Sequence, residues 1–531
     1  KSEDGGLKWK LVQNKDIGNR PFYYSEISVD PKNENRLFNV FTYLTRSDDG
    51  GKSFYNIADY GNAVHPDHHA LWIHPKDPGF IIDGNDGGAA ISRDMGKSWH
   101  FISNLPVGQF YHVNVDSDKP YNVYGGMQDN GSWVGPSAVL KPGGIRNTDF
   151  QEMYFGDGFD VVPQPGNSRY GYAMSQGGNV AFYDRETGQN RFVKPNHPDG
   201  VTLRYNWNAA IAQHPHDSCS LYFGSQFVHF SKDCGRSWTL ISPDLTTNDT
   251  TKQDQRKTGG LTLDVTGAET HTTILCIAPS PLDDQIIWVG TDDGNIQLTL
   301  DGGKSWTNLN SRIKGLPANA WIPQIEVSSR NKAEAWVVVN NYRQNDYCAY
   351  AYHTTDFGKN WRRIADDDQI KGFVVSMVHD PEAPSLWFLG TDVGLYVSFN
   401  EGKNWQHWTN NFPRVQVSDM KIQREENDLV VATFGRAIWI LDNLEPLREL
   451  AKSTFSTTDS LHLFGCPPVY DWFYRSYDGV RFFAQGDFSG TNETKNQAVL
   501  HVWTPPQSKT NKEGDEKKEK SKEKDVKMSV R

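Results

Sequence analysis

Apolar residues in this chain fall in short runs, broken every few positions by Gly, Pro, Asp or Asn. Residues 273–309 show the pattern most plainly. TILCIAPSP (273–281), QIIWVG (285–290), NIQLTL (295–300) and SWTNL (305–309) are strand-length apolar segments separated by turn residues. Four such runs in sequence predict one four-stranded antiparallel blade of a propeller. The same reading along the chain gives about nine units, starting near Phe22, Tyr55, His100, Phe155, Tyr205, His271, Ala320, Gly372 and Val415. The last ends VVATFGRAIWILDN (430–443) and has no fourth run. LKWKLV (7–12) reads as an unattached fourth strand, which closes the ring or completes a unit whose other strands are missing. The expected fold class is all-β, a β-propeller of four-stranded blades in one ring or shared between two.

One short motif recurs between the third and fourth runs. It reads SDDGGKSF at 47–54, SRDMGKSW at 92–99, SKDCGRSW at 231–238, TLDGGKSW at 299–306, TTDFGKNW at 354–361 and SFNEGKNW at 398–405. The gap between the second and third copies holds degenerate units at 121–134 and 170–184. Ser, Thr and Asp side chains bond nearby backbone N–H groups and stabilise a tight turn, while Gly supplies the backbone freedom the turn needs. Asp49, Asp94, Asp233, Asp301, Asp356 and Asn400 are therefore expected to be structural turn residues, one per copy.

Composition sharpens this picture. Aromatic residues make up 12 % of the chain, with 17 Trp beside 47 Gly and 27 Pro, as short strands with covering aromatics require. The formal net charge is −11, which argues against a nucleic-acid partner. No apolar run reaches the length of a transmembrane helix, so no membrane span is expected. The repeats stop near Leu447, giving a propeller region over 1–447. Residues 448–506 read as a small sandwich-like β appendage, and 507–531 as a charged low-complexity tail or insert. Five Cys do not make a disulfide framework. Cys219 and Cys234 nevertheless fall in turns expected on one face of a single unit, where they are candidates to pair.

The repeated motif resembles the Asp-box, or bacterial neuraminidase repeat, found in sialidases, two-propeller xyloglucanases and sortilin-type receptors. Longer segments such as HPDHHALWIHP (65–75), GGMQDNGSWVGPS (125–137), FGSQFVHFSKDCGRSW (223–238) and ATFGRAIWILDNL (432–444) resemble large secreted bacterial proteins described as sortilin-like or glycosyl-hydrolase-like. The resemblance spans about residues 5–450. It implies a propeller fold, a secreted, periplasmic or cell-surface location associated with the bacterial outer membrane, and a further propeller half before Lys1. It does not settle activity, because that family holds both receptors and hydrolases.

Strand alternation places the loops between second and third runs on one face, together with the links from one unit to the next. These loops are acidic or polar: GNDGG (84–88), MQDNG (127–131), SQGGN (175–179), TDDG (291–294), TDVG (391–394) and FGR (434–436). The links add His65, Asp67, His68 and His69, then Asp157, Trp207 and His271. Asp86, Asp129 and Asp293 are the candidate catalytic carboxylates, since glycoside hydrolysis needs two carboxyls flanking the scissile bond. Gln128, Asp292, Asp392 and Arg436 join the histidines, Asp67, Asp157 and Trp207 as candidate binding residues. HPDHH does not have the spacing of a helical zinc site, and no metal or cofactor is assigned. Two function classes follow: a surface propeller binding a glycan, peptide or partner protein across this face, or a polysaccharide hydrolase with a carboxylate pair at the same mouth. A non-catalytic scaffold contacting its own missing N-terminal part or another surface protein is the third.

Overall fold

The computed structural model describes residues 1–452, 461–467, 469 and 498–504, apart from residues 16, 19, 21, 22, 25, 63, 142, 143 and 259–265. Among the described residues the regular secondary structure is almost entirely strand. Eight antiparallel sheets have four strands each, and a ninth has three. We number them by position: sheets 1 to 9 span residues 26–58, 68–101, 110–154, 158–192, 211–240, 274–308, 321–365, 374–408 and 417–441. In each, consecutive strands pair with their sequence neighbours, the meander expected of tight-turn connections.

Two of the expected unit starts are displaced. Tyr55–Ala58 and His100–Phe101 are the fourth strands of sheets 1 and 2, paired to the third strands through Tyr55 with Arg46 and His100 with Ile91. The residues after the repeated turn therefore finish one sheet, and the next begins at His68–Ile73 or Phe110–Val115. The start near Phe22 lies outside the described residues, as do most of 470–506 and all of 507–531. Of the expected appendage, the pair His462–Leu463 and Val502–Trp503 is described.

The first strands carry the packing between sheets. Those of sheets 3, 4, 5, 6, 7, 8 and 9 pack each on the next, and Val417–Gln423 of sheet 9 packs back on Phe110–Val115 of sheet 3. The 9-to-3 joint buries Val113, Tyr121, Val430 and Ala432 together. Asp419 accepts from the Val113 N–H at 3.2 Å, and the Tyr121 hydroxyl donates to Asp428 at 3.0 Å. The first strands of sheets 1 and 2 pack on each other. Residues 7–12, expected as a fourth strand, form no strand and join no sheet; Val12 lies near the Gly51 turn of sheet 1 and Gln13 donates to the Lys52 carbonyl.

Five copies of the repeated turn have the same internal bonding, and the copy with Asn400 keeps all of it but the bond from the side chain at position 404. In the copy at 299–306, Thr299 Oγ1 donates to Asp301 and accepts from the Gly303 N–H, while Asp301 accepts from both the N–H and hydroxyl of Ser305. Gly303 is obligatory: its φ is +95°, and an added Cβ would stand 2.3 Å from the Ile241 carbonyl oxygen. In four copies the closing tryptophan donates across to the preceding sheet, whereas Trp361 donates to Gly358 of its own turn. The Nε1 groups of Trp99, Trp238, Trp306 and Trp405 donate to the carbonyls of Ile57, Val193, Ile241 and Ile364 at 2.8, 2.9, 3.1 and 2.7 Å. The motif thus shapes one sheet and fastens it to its neighbour. Cys219 and Cys234 are disulfide-bonded, joining the first turn of sheet 5 to its Asp-containing turn.

Candidate functional site

The loop after the second strand of sheet 2, its counterpart in sheet 3 and the links leading into sheets 2 and 4 converge. One carboxylate oxygen from each of Asp67, Asp86 and Asp129 lies within 4.8 Å of the other two. Asp67 and Asp129 adopt left-handed φ of +61° and +59°, a conformation Asp tolerates better than most residues, and it presents both side chains from tight loops.

Asp157 fixes the floor. It accepts from the Asp129 N–H at 2.8 Å and from the Trp207 indole at 2.9 Å, and its own N–H donates to Gln176 at 2.9 Å. Gln128 accepts from the Tyr111 hydroxyl at 2.8 Å. The Asn130 amide donates to the Asp86 carbonyl at 2.9 Å, tying sheet 3 to sheet 2. His69 Nε2 stands 3.0 Å from Asp86 Oδ1, His65 Nε2 lies 3.1 Å from the Asp129 carbonyl, and Tyr24 donates to Asp67 at 2.6 Å. The Tyr24 ring packs against His69, and Tyr60, 66 % exposed, meets His65 edge-on.

Burial, and then the adjacent Asp157 carboxylate, push Asp129 up to about 8, so it is largely protonated at neutral pH. Burial also raises Asp86, opposed by His69. Asp129 Oδ2 is buried without a hydrogen-bond partner among the described residues. The group therefore offers a neutral carboxyl donor beside two further carboxylates. The three oxygens are close enough to share one hard cation, an arrangement that positions 67, 86 and 129 do not reveal in sequence.

The remaining candidates lie elsewhere. His68 is fully buried with Nδ1 on Asp83 at 2.8 Å, turned away from Asp86 and Asp129. Asp292 is buried under Thr273, Asn206 and His271, and Asp293 is held by Thr247 and Thr291. Both carboxylates lie in the joint between sheets 5 and 6, and Asp293 does not join Asp86 and Asp129. Asp392 is raised by burial and lies against Gly372. Arg436 lines a different cavity of about 760 Å³ between sheets 3 and 9. Tyr24 and Tyr60 reach this site from segments outside the expected loops, and Gln176 lies in the SQGGN loop (175–179) expected on this face but carries no charge to single it out.

No family model matches this chain. A segment of 117 residues is 29 % identical to a probable oligoxyloglucan-reducing end-specific xyloglucanase of Neosartorya fischeri; it spans 20 % of this chain and 13 % of that protein. Among solved structures, the extracellular domain of a putative hybrid two-component system from B. thetaiotaomicron superposes with TM-score 0.42 and 14 % identity, over 64 % of this chain and 38 % of that one. A GH74 enzyme from Niastella koreensis does so with TM-score 0.26 and 14 % identity, over 79 % and 77 %. These similarities assign no residue role.

Proposed function

We propose that the chain is a glycan-binding β-propeller whose ligand lies across the mouth built by Asp67, Asp86, Asp129 and Asp157. The cyclic packing of first strands supports a seven-bladed ring formed by sheets 3 to 9, with sheets 1 and 2 belonging to a second ring. The repeated turn supports the Asp-box reading of each copy. The observation that carries the functional reading is the carboxyl cluster rimmed by Tyr24, Tyr60, His65 and His69 at the junction of these two sets of sheets. Carboxylates accept from sugar hydroxyls, a protonated Asp129 donates to them, and an exposed tyrosine face takes the apolar side of a pyranose. The disulfide supports a secreted, periplasmic or cell-surface location. No helix among the described residues is long and apolar enough to cross a membrane.

A second reading, hydrolysis, is favoured by one feature. Asp129, pushed up to about 8, is a general acid beside carboxylates that can act as nucleophile or base. Oxygens within 4.8 Å suit the roughly 5–5.5 Å spacing of retaining enzymes better than the wider inverting one. Binding of xyloglucan and β-glucan oligosaccharides by calorimetry, with reducing-end assay of the same mixtures, separates the readings. Binding without product, weakened at least tenfold by Asp86→Asn or Asp129→Asn, supports the binding module. Product of retained configuration, lost in Asp129→Asn, supports the hydrolase, and neither binding nor product on any glycan overturns both.

A further inference from the structure

A second pocket, of about 610 Å³, opens between sheets 6 and 7. Asn340, Asn341, Arg343, Trp321, Glu269 and His271 are among its lining residues. Asn341 ends the second strand of sheet 7 and Arg343 lies in the link that follows it, the same kind of link that carries Asp86 and Asp129 in sheets 2 and 3.

Two features of this pocket are unspent. Asn340 and Asn341 are only 5 % and 8 % exposed, yet the Oδ1 of each has no hydrogen-bond partner among the described residues. The orientation of Asn341 is fixed, because its Nδ2 donates to Asp346 Oδ2 at 3.0 Å; the atom left over is an acceptor. A buried acceptor without a donor is costly, and a ligand that supplies O–H groups relieves that cost. The second feature is Arg343. Its guanidinium lies 3.3 Å from the centroid of the Trp321 ring and 4.5 Å from that of Tyr342, and no carboxylate stands within ion-pair distance of it among the described residues. Stacking holds the plane and leaves the N–H edge open to a planar anion. No ion pair joins Arg343 to Glu269, whose Oε2 accepts from the Gly267 N–H at 3.1 Å, or to Asp292, which is bonded to Thr273 and faces His271.

We infer that this pocket binds an acidic sugar, a hydroxylated ring bearing a carboxylate. Arg343 takes the carboxylate side-on, and hydroxyls donate to Asn340 and Asn341. A bare carboxylate or sulfate satisfies the arginine but carries no donor for the amide oxygens. A neutral sugar has the donors but leaves the arginine unmatched. The pocket thus selects the combination, and it does so on a chain whose net charge is −11. This inference rests on the glycan reading of the face and adds the class of sugar that one subsite takes.

The test is calorimetry of the full chain at neutral pH with tri-galacturonate and tri-glucuronate, against their methyl esters, acetate, poly-glutamate and neutral oligosaccharides. Uronate binding that weakens at least tenfold on esterification, and at least tenfold in Arg343→Gln, is the expected result. Arg343 is exposed, so Arg343→Gln is expected to fold; an unchanged melting temperature checks this. Asn340→Ser reads the second contact, with a smaller loss for uronate and none for acetate. The inference is overturned by an absence of uronate binding, by uronate affinity unchanged in Arg343→Gln, or by acetate or poly-glutamate binding as tightly. Asp129→Asn separates the two sites: it abolishes neutral-glycan binding at the carboxyl cluster while uronate binding at Arg343 persists. Loss of both in that variant counts against a distinct pocket.

Discussion

The indole N–H of Trp405 donates to the main-chain carbonyl of Ile364 across the joint between sheets 8 and 7, at 2.7 Å and out of reach of solvent. The carbonyl belongs to the outermost strand of one sheet and the indole to the turn of the next, so one bond couples two units of the repeat. Trp405→Phe keeps most of the buried ring but leaves that acceptor unmatched, a loss of about 1–3 kcal/mol. Trp405→Ala adds the cavity and costs about 3–5 kcal/mol. Urea unfolding followed by fluorescence measures both, and a Trp405→Phe chain as stable as the parent would mean that the hydrogen bond contributes nothing.

Asp129 should give stability an unusual pH dependence. Its pKa rises from 3.8 unfolded to about 8 folded, so between those values the folded chain keeps a proton that the unfolded chain has lost. That group therefore costs stability progressively as pH rises from about 4 to about 8 and by a constant amount beyond. Asp129→Asn removes this term. The difference in melting temperature between variant and parent should move in the variant's favour across that window and then level off. A constant difference from pH 4 to pH 9 would contradict the assigned environment.

The repeated turns respond in the opposite direction. Hydrogen bonds from Ser98, Ser237 and Ser305 hold Asp94, Asp233 and Asp301 down to about 2. Their contribution is complete above the ordinary carboxylate value and is lost as pH falls toward 2. The copy with Asn400 bonds the Asn404 N–H but carries no charge. Asn400→Asp should raise the melting temperature at pH 7, and that gain should vanish by pH 2; thermal melts at the two pH values check it.

The Cys219–Cys234 bond closes a loop of 15 residues within sheet 5. Replacing both with serine should cost about 3 kcal/mol on the chain-entropy account. Equilibrium denaturation under oxidising conditions measures it, and alkylation of both thiols without reductant would show that the bond does not form in the isolated protein.

Arg448 is 2 % exposed and reaches Asp380 at 2.9 Å, Glu382 at 2.9 Å and the Asn427 amide oxygen, fastening the helix Glu445–Leu450 under sheets 8 and 9. Arg448→Ala strands the buried Asp380 carboxylate and should cost about 3–5 kcal/mol. Asp380→Asn in the same chain should recover part of that loss, measured as a double-mutant cycle.

The sheets were legible because their determinants are local. A Ser or Thr, an Asp and a Gly within five positions build a turn from their own side chains, and the alternation around them marks the strands. The unit starts at Tyr55 and His100 were misplaced because a strand after a turn looks alike whether it ends one sheet or begins the next. The carboxyl site was legible in part: Asp86 and Asp129 lie in loops between second and third strands, and HPDHH and Asp157 at the links between units, all on one expected face. What was not legible was pairing between sheets. Nothing near Trp207 marks it as a donor to Asp157, nothing near Trp321 announces Arg343, and Asp293 reads like Asp86 until Thr247 is found bonded to it. Those partners are brought together by packing, which no local spacing encodes.

The joint between sheets 9 and 3 brings together residues some 307 positions apart, through Tyr121 with Asp428 and His112 with Asp419. Every other joint in that cycle links sheets that follow one another along the chain and can form as soon as both exist. This seam must wait for the whole intervening stretch, and the entropy of bringing its two sides together falls on it alone. It is therefore the last place to assemble, and the first to part when the two ends are drawn apart by force.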